Sequence, residues 1–301
     1  MNGVTIAVAG GTGALGQPVV RKLLEEGYQL QLLVRNEETA RRIWGTQVSY
    51  VVGDVESDDA VRRAVAGASG VHVSLSGRAD PASLERIEHG GTASIARLAR
   101  EEGVRRITYL SGMYVGHPAA ASWADKGKEG AEEAIRTSGV SYTIFKPTYF
   151  MDTLPRQLRG NRAVVLGSQP HPLHMVAATD FAAMVARAFA GGPEVDGSFH
   201  VQGPEALTMC EALGIYCELL APGTRVTTMP LFVMRAINRV FMGGRLRREL
   251  EIVRLLNVIG EVGDPGPAHL VFGKPRVTLR AWCLARRDEQ RRITEQRYSP
   301  I

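Results

Sequence analysis

Short runs rich in Val, Ile and Leu alternate with longer stretches of helical periodicity through the first half of the chain. That alternation is the sequence form of βαβ units in a parallel sheet. The apolar runs predict strands over Val4 to Ala9, Gln29 to Val34, Val48 to Val52, Gly70 to Leu75, Arg106 to Leu110 and Ser141 to Phe145. Several are nearly unbroken, as expected of strands covered by helices on both faces. Helical spacing predicts helices over Pro18 to Glu26, Asp58 to Val65, Pro81 to Glu102 and Lys126 to Ser138. The last repeats Ala131, Ala134 and Ile135 on one face and stops at Ser138-Gly139, where glycine suits a left-handed C-cap.

Beyond Pro147 the alternation fades, leaving helical patterns at Asp180 to Phe189, Leu207 to Leu220 and Leu231 to Phe241. The stretch from Val262 to Pro267 carries two Pro and two Gly in six residues and is expected to be a loop. The pattern implies an α/β fold, a doubly wound parallel sheet of the Rossmann type over residues 1–150. A smaller, mostly helical substrate-binding portion is expected over 151–301, with segments returning to the sheet. A length of 301 residues, beyond the usual size of one hydrophobic core, agrees with that division.

Composition changes little in this picture. At 45% hydrophobic and 22% charged residues the chain has ordinary globular proportions, which excludes a disordered or collagenous class. Three cysteines, Cys210, Cys217 and Cys283, lack CxxC spacing and argue against a disulfide framework or a zinc site. A reducing compartment, the cytoplasm, is therefore expected, with no transmembrane segment, since no apolar stretch approaches spanning length. No metal ligand set and no nucleic-acid partner are expected, and the pattern leaves monomer and dimer equally open. Charge is uneven, because residues 235–301 hold 14 Lys and Arg against 7 Asp and Glu, whereas 1–234 hold 22 against 24. The basic segment Arg245-Leu246-Arg247-Arg248 reads as a solvated helix face, with Glu249 and Glu251 following and no aromatic side chains interleaved. Contact with an anionic surface is the alternative.

The strongest chemical signal is Gly10-Gly11-Thr12-Gly13-Ala14-Leu15-Gly16, directly after an apolar strand and directly before a helical pattern. Glycines at these spacings tighten the turn and bring the backbone close to a pyrophosphate, while N–H groups at the helix start face the anion. The second strand ends in Leu33-Val34-Arg35-Asn36, where an NAD-specific domain would carry an acid for the ribose 2′-hydroxyl. A guanidinium there suits a 2′-phosphate instead, so NADP(H) is the expected cofactor; a surface arginine beside bound NAD is the alternative. Asp54-Val55, after the third strand, can hold the adenine edge, or Asp54 can cap the next helix. Leu75 and Ser76, at the end of the fourth strand, join the expected cofactor-binding set.

Further residues carry a family likeness. Tyr109-Leu110-Ser111 closes the fifth strand, Lys128 begins a helix, and Ser138 to Pro147 reads SGVSYTIFKP. In the second half, HMVAATDFA from His174, GPEALT from Gly203, and FGKPR from Phe272 with nearby Trp282 continue the pattern. Over nearly its whole length the chain resembles the atypical short-chain dehydrogenases/reductases, in particular the NmrA-like and isoflavone-reductase-like group. The resemblance implies roles for Lys128 in holding the nicotinamide ribose or acting as acid or base, with an exposed helix residue as the third reading. Ser111, at the C-terminal end of a sheet strand where doubly wound folds place ligands, is expected to bond a substrate carbonyl or else to cap a helix or turn. The resemblance implies that Pro147, Tyr149 and Phe150 approach the nicotinamide, the alternative being that they only bury the end of the sheet. The usual Tyr-x-x-x-Lys pair is incomplete, since the position four before Lys128 is Ala124. Tyr114, His117 and Tyr149 are candidate substitute proton donors, Tyr114 foremost. Two functions remain open: an NADP(H)-dependent oxidoreductase for a small apolar carbonyl, quinone or enone, or a non-catalytic NADP(H)-binding redox sensor, regulator or assembly factor.

Overall fold

In a computed structural model, residues 3–77, 80–120, 123–244 and 246–298 are described. Six strands follow the apolar runs of the sequence: β1 (Thr5–Ala9), β2 (Gln29–Val34), β3 (Ser49–Val52), β4 (Gly70–Val73), β5 (Arg106–Leu110) and β6 (Ser141–Pro147). With a seventh strand, Gly197–Val201, they form one parallel sheet. Its order is Gly197–Val201, β6, β5, β4, β1, β2, β3. The winding direction reverses between β1 and β4, so a crevice opens above the C-terminal ends of those two strands, where doubly wound sheets bind ligands.

Helices cover both faces. α1 (Gly16–Glu25) and the Ala178–Ala190 helix lie on one side over Val8, Leu32 and Phe145. There Phe181 meets Phe145 and Phe150 edge-on, at 5.5 and 5.6 Å between ring centroids. The other side is covered by α3 (Asp58–Val65) and by the Gly91–Glu101 and Trp123–Thr137 helices, packed on Ala7, Val71 and Ile107. A third apolar cluster, including Met151, Leu154, Val165, Leu213, Leu256 and Trp282, lies outside the sheet. It fills the space beneath a small three-stranded sheet, Leu158–Arg159, Arg162–Leu166 and Arg225–Met229. FGKPR is tied to the Ala178–Ala190 helix through Asp180, whose carboxylate accepts the Arg276 and Val277 N–H groups at 2.9 Å.

Several expectations need correction. Segments returning to the sheet were expected, but the position of the strand Gly197–Val201 was not, because at the sheet edge only Phe199 and Val201 are buried and the run lacks the unbroken apolar character of β4. α2 (Glu37–Trp44) was likewise missed, being polar apart from buried Ala40 and Trp44. The expected helix from Pro81 to Glu102 is interrupted by a π-helical stretch, Leu84–Gly90. The expected loop ends earlier than Pro267, because Gly266-Pro267 opens a helix to Phe272 with proline in its first turn, where no N–H is needed. In the basic segment Arg245 lies outside the described residues, while Arg248 turns inward and is only 14% exposed, not solvated. Gly139 takes φ +74° as a C-cap glycine requires. Among the described residues no helix is long and apolar enough to cross a membrane.

Candidate nucleotide cleft and active site

Gly10 sits at φ +97°, and a Cβ there would stand 2.3 Å from the Ser74 carbonyl oxygen. A Cβ on Gly16 would stand 2.1 Å from the carbonyl oxygen of Gly10. Glycine is thus required at both ends of the turn by backbone crowding, which leaves the chain bare enough for a bulky anion to approach. Gly13 N–H donates to the Gly10 carbonyl at 3.0 Å and Gln17 Nε2 to the Thr12 carbonyl at 2.9 Å, fixing the turn from within. From α2, Trp44 Nε1 donates to the Gly11 carbonyl at 3.3 Å in a buried contact. α1 starts behind Ala14 and Leu15 with no side-chain cap and no acid in its first turn. Gln17 N–H is taken by the Gly13 carbonyl and Pro18 has none, so among the described residues the N–H groups of Ala14, Leu15 and Gly16 are the donors left to an anion.

An open cleft of about 210 Å³ extends from this turn and is lined by Gly10, Thr12, Gly13, Arg35, Asp54, Val55, Leu75 and Ser76. Sequence-distant residues are thereby brought together. Arg35 is exposed, and among the described residues no ion pair or hydrogen bond engages its guanidinium. Asn36 plays a structural part, since its side chain accepts from Thr39 N–H at 2.8 Å and caps α2. Asp54 does not cap α3, which is capped by Ser57. Asp54 instead turns its own loop by accepting from Glu56 N–H at 3.1 Å.

At the C-terminal end of β5 two buried carboxylates organise the charges. Lys128 Nζ donates to the Leu110 carbonyl at 3.1 Å, lies 5.3 Å over the Tyr109 ring and stands 3.8 Å from Glu88. Glu88, 1% exposed, also accepts from Gly77 N–H at 3.0 Å and from Arg248. Burial alone would raise its pKa, yet Lys128, Arg248 and the Gly77 N–H together hold it below the ordinary value. The second carboxylate, Glu132, accepts from Ser111 Oγ at 2.5 Å and from Arg136 at 2.5 Å, and pairs with Lys146 at 3.0 Å. Lys146 also donates to the Val115 carbonyl. The Ser111 proton is therefore directed at Glu132, and its lone pairs are what it can turn elsewhere.

The candidate donors are held in different ways. Tyr114 is buried and donates its hydroxyl to the Gly260 carbonyl at 2.5 Å, with burial and the charge of Glu261 raising its pKa. His117 Nδ1 accepts from Ala119 N–H. Tyr149 Oη accepts from Gln157 Nε2 at 3.0 Å. Pro147 ends β6 beside Val201, and Phe150 is packed into the core against Phe181.

A family model described as NAD(P)H-binding matches residues 10–191. The chain belongs to that NAD(P)H-binding family. Among curated relatives, the Photosystem II assembly factor Ycf39 of Trieres chinensis is 23% identical over 85% of this chain and 82% of its own. The (4-alkanoyl-5-oxo-2,5-dihydrofuran-3-yl)methyl phosphate reductase of Streptomyces griseus is 30% identical over 68% of this chain and 70% of its own. Among solved structures, the Escherichia coli NADPH-dependent quinone oxidoreductase complexed with NADPH superposes with a TM-score of 0.71. Identity to it is 18%, over 93% of this chain and 99% of that one. The Citrobacter sp. triphenylmethane reductase complexed with NADP(H) gives 0.71 at 19%, over the same shares. These likenesses show a shared fold, the doubly wound Rossmann-type sheet.

The residues present fit the dinucleotide of an NAD(P)H-binding protein, because backbone crowding admits only glycine at Gly10 and Gly16, which keeps the turn free of side chains there, and no acid stands in the first turn of α1. Sequence reading missed Trp44, Glu88, Glu132, Lys146 and Arg248. Two of these had signals. A lysine within the apolar run of β6 demands a buried counter-charge, and Glu132 stands one helical turn after Lys128 on the same face. Glu88 and Arg248 had none, since their meeting depends on how the C-terminal helices dock.

Proposed function

We propose that the protein is an NADP(H)-dependent oxidoreductase that reduces a small apolar carbonyl, quinone or enone. The observation that carries the cofactor choice is Arg35, exposed and without a described partner in the cleft of the glycine turn. A guanidinium in that position suits the 2′-phosphate as a carboxylate suits the 2′-hydroxyl. In this reading the Gly10–Gly16 turn and the start of α1 hold the pyrophosphate, Asp54 and Val55 border the adenine, and Lys128 holds the nicotinamide ribose. When bound, the reduced nicotinamide supplies the hydride. Lys128 is anchored on the Leu110 carbonyl and Glu88, which fixes its ammonium at the C-terminal end of β5. Ser111 directs its proton at Glu132, so it does not donate to a substrate carbonyl, the role expected from the sequence; its lone pairs can accept from the hydroxyl that reduction creates. Tyr149 contributes an apolar wall that keeps water from the reacting centre.

Support comes from relatives that are reductases by name and from structural neighbours that act with NADPH. The test incubates the protein with NADPH and a panel of quinones, enones and carbonyls and follows loss of nicotinamide absorbance. Turnover with at least one apolar acceptor is expected, and Arg35→Ala should weaken NADPH binding while sparing NADH. An equal loss for both nucleotides would remove the 2′-phosphate assignment.

A second reading, a non-catalytic NADP(H)-dependent assembly factor or sensor, rests on the missing tyrosine at Ala124 and on the engaged hydroxyls of Ser111 and Tyr114. A relative named as an assembly factor agrees with it. Tight NADPH binding without consumption across the whole panel would favour it over the first.

A further inference from the structure

The Leu231–Phe241 helix is turned inside out. Its one buried residue is the polar Asn238, while Phe232, Val240 and Phe241 are 73%, 70% and 82% exposed. Asn238 faces inward because it is a bracket: its side chain accepts from Leu246 N–H and its carbonyl from Gly244 N–H, both at 2.9 Å. With Asn238 fixed, helical spacing places Phe232, Ala236 and Val240 in one outward stripe, and Arg235 and Arg239 along its border.

Beside the helix lies an open concavity of about 940 Å³, lined among others by Arg235, Arg239 and Arg247. Among the described residues none of these three guanidinium groups has an ion pair. The acid that lines the concavity among the described residues, Glu251, is taken by Arg254 at 2.6 Å. Unpaired cations therefore surround protruding aromatic side chains, in the part of the chain that carries the positive excess.

We propose that this face docks peripherally on an anionic lipid bilayer. Phe232, Val240 and Phe241 would enter the boundary between headgroups and acyl chains, and Arg235, Arg239 and Arg247 would meet lipid phosphates. A short helix with a bulky apolar stripe edged by arginines has the form that lies in a membrane interface. Basic residues close to an anionic leaflet add the electrostatic part of the attraction. A second copy of the chain is a poorer occupant, because a two-fold contact would set the same arginines against each other. The inference is independent of the redox reading above.

The test sediments the whole protein with vesicles of phosphatidylcholine alone or mixed with phosphatidylglycerol, at low and high salt. Binding is expected only to the anionic vesicles and should fall at high salt. The double variant Arg235→Ala with Arg239→Ala should bind about twenty-five-fold more weakly, from about fivefold per arginine. Phe232→Ser with Phe241→Ser should also weaken binding, while both variants keep NADPH affinity as proof of folding. Failure to sediment with anionic vesicles, or equal sedimentation of all variants, would overturn the proposal. So would a dimer in sedimentation velocity that Phe232→Ser abolishes, or binding to polyglutamate as tight as to vesicles and indifferent to Phe232 and Phe241.

Discussion

Glu88 and Arg248, 160 positions apart, meet through two parallel bonds, Nη1 to Oε1 at 2.7 Å and Nη2 to Oε2 at 3.1 Å. A bidentate fork of this kind fixes direction as well as distance. It ties the π-helical stretch beneath the cleft to the C-terminal Arg247–Val258 helix, and the same carboxylate faces Lys128 and Gly77. One buried side chain thus couples the lysine of the site to the packing of the second half.

Replacing Glu88 by Gln would remove the buried negative charge that Glu88 itself presents to Arg248 and Lys128, and losses of about 3–5 kcal/mol are typical when one partner of a buried pair is removed. Chemical denaturation of Glu88→Gln against the parent measures it. The pH dependence has a definite sign. Glu88 has a folded pKa below the ordinary 4.5, so its contribution is complete above that value and is lost as pH falls through the folded pKa. The stability gap between parent and Glu88→Gln should therefore be constant near neutrality and close only in acid below about 4.5. A gap that closes already near neutrality would show that Glu88 does not carry the charge assigned to it.

His72 sets a different window. It is fully buried in β4, Nδ1 lies 2.8 Å from Thr108 Oγ1, and burial lowers its pKa from 6.5 to about 3. A chain that unfolds lets His72 take a proton which the fold refuses. Its contribution is present above pH 6.5 and drains away as pH falls from there towards 3. His72→Asn should melt lower than the parent at neutral pH and show a flatter decline of Tm between pH 6.5 and about 4. Parallel curves for the two proteins would remove His72 from the acid response.

At Gly10 the limit is steric. With φ at +97° and a Cβ 2.3 Å from the backbone oxygen of Ser74, alanine forces the turn and the end of β4 apart. Strain of this class costs about 1–3 kcal/mol. Gly10→Ala should lose at least about tenfold in nucleotide affinity, the equivalent of roughly 1.4 kcal/mol. Gly214→Ala is the control: it stands inside the Met209–Leu220 helix with an ordinary φ, and nothing lies within 4 Å of the added Cβ. Titration calorimetry with NADPH should separate the two variants; equal affinities would dissociate the turn from nucleotide binding.

What was legible in the sequence followed from local pattern. β2, β5 and α3 match their expected bounds to the residue, because each has a run whose period its surroundings do not override. The glycine turn was readable for the same reason, since the close approach of Gly16 to the Gly10 carbonyl lies within seven residues. The edge strand Gly197–Val201 was not, for half of its residues face away from the core. Nor was the charge arrangement at the end of β5, which joins Glu88, Lys128 and Arg248 from three separate helical segments. Arg248 shows the physical reason: its neighbours in sequence suggested a wet helix face, and only docking against Glu88 reveals that it is buried.

Trp44 supplies the remaining test of how the cleft is held. Its indole N–H reaches the Gly11 carbonyl at 3.3 Å from the end of α2, in the layer that also buries Val20 and Leu32. The ring itself fills space below the turn, whereas the N–H alone carries the directional contact. Trp44→Phe keeps most of the apolar volume and removes the donor, leaving a buried carbonyl one partner short, a loss of about 1–3 kcal/mol. If that bond positions the turn, the variant should bind NADPH several-fold more weakly even where it is fully folded, with the deficit appearing in dissociation rate rather than association rate. Trp44→Leu, which also opens a void, should add a fall in Tm to the same loss of affinity. Unchanged NADPH dissociation in Trp44→Phe would show that the glycine turn holds its shape from its own backbone bonds.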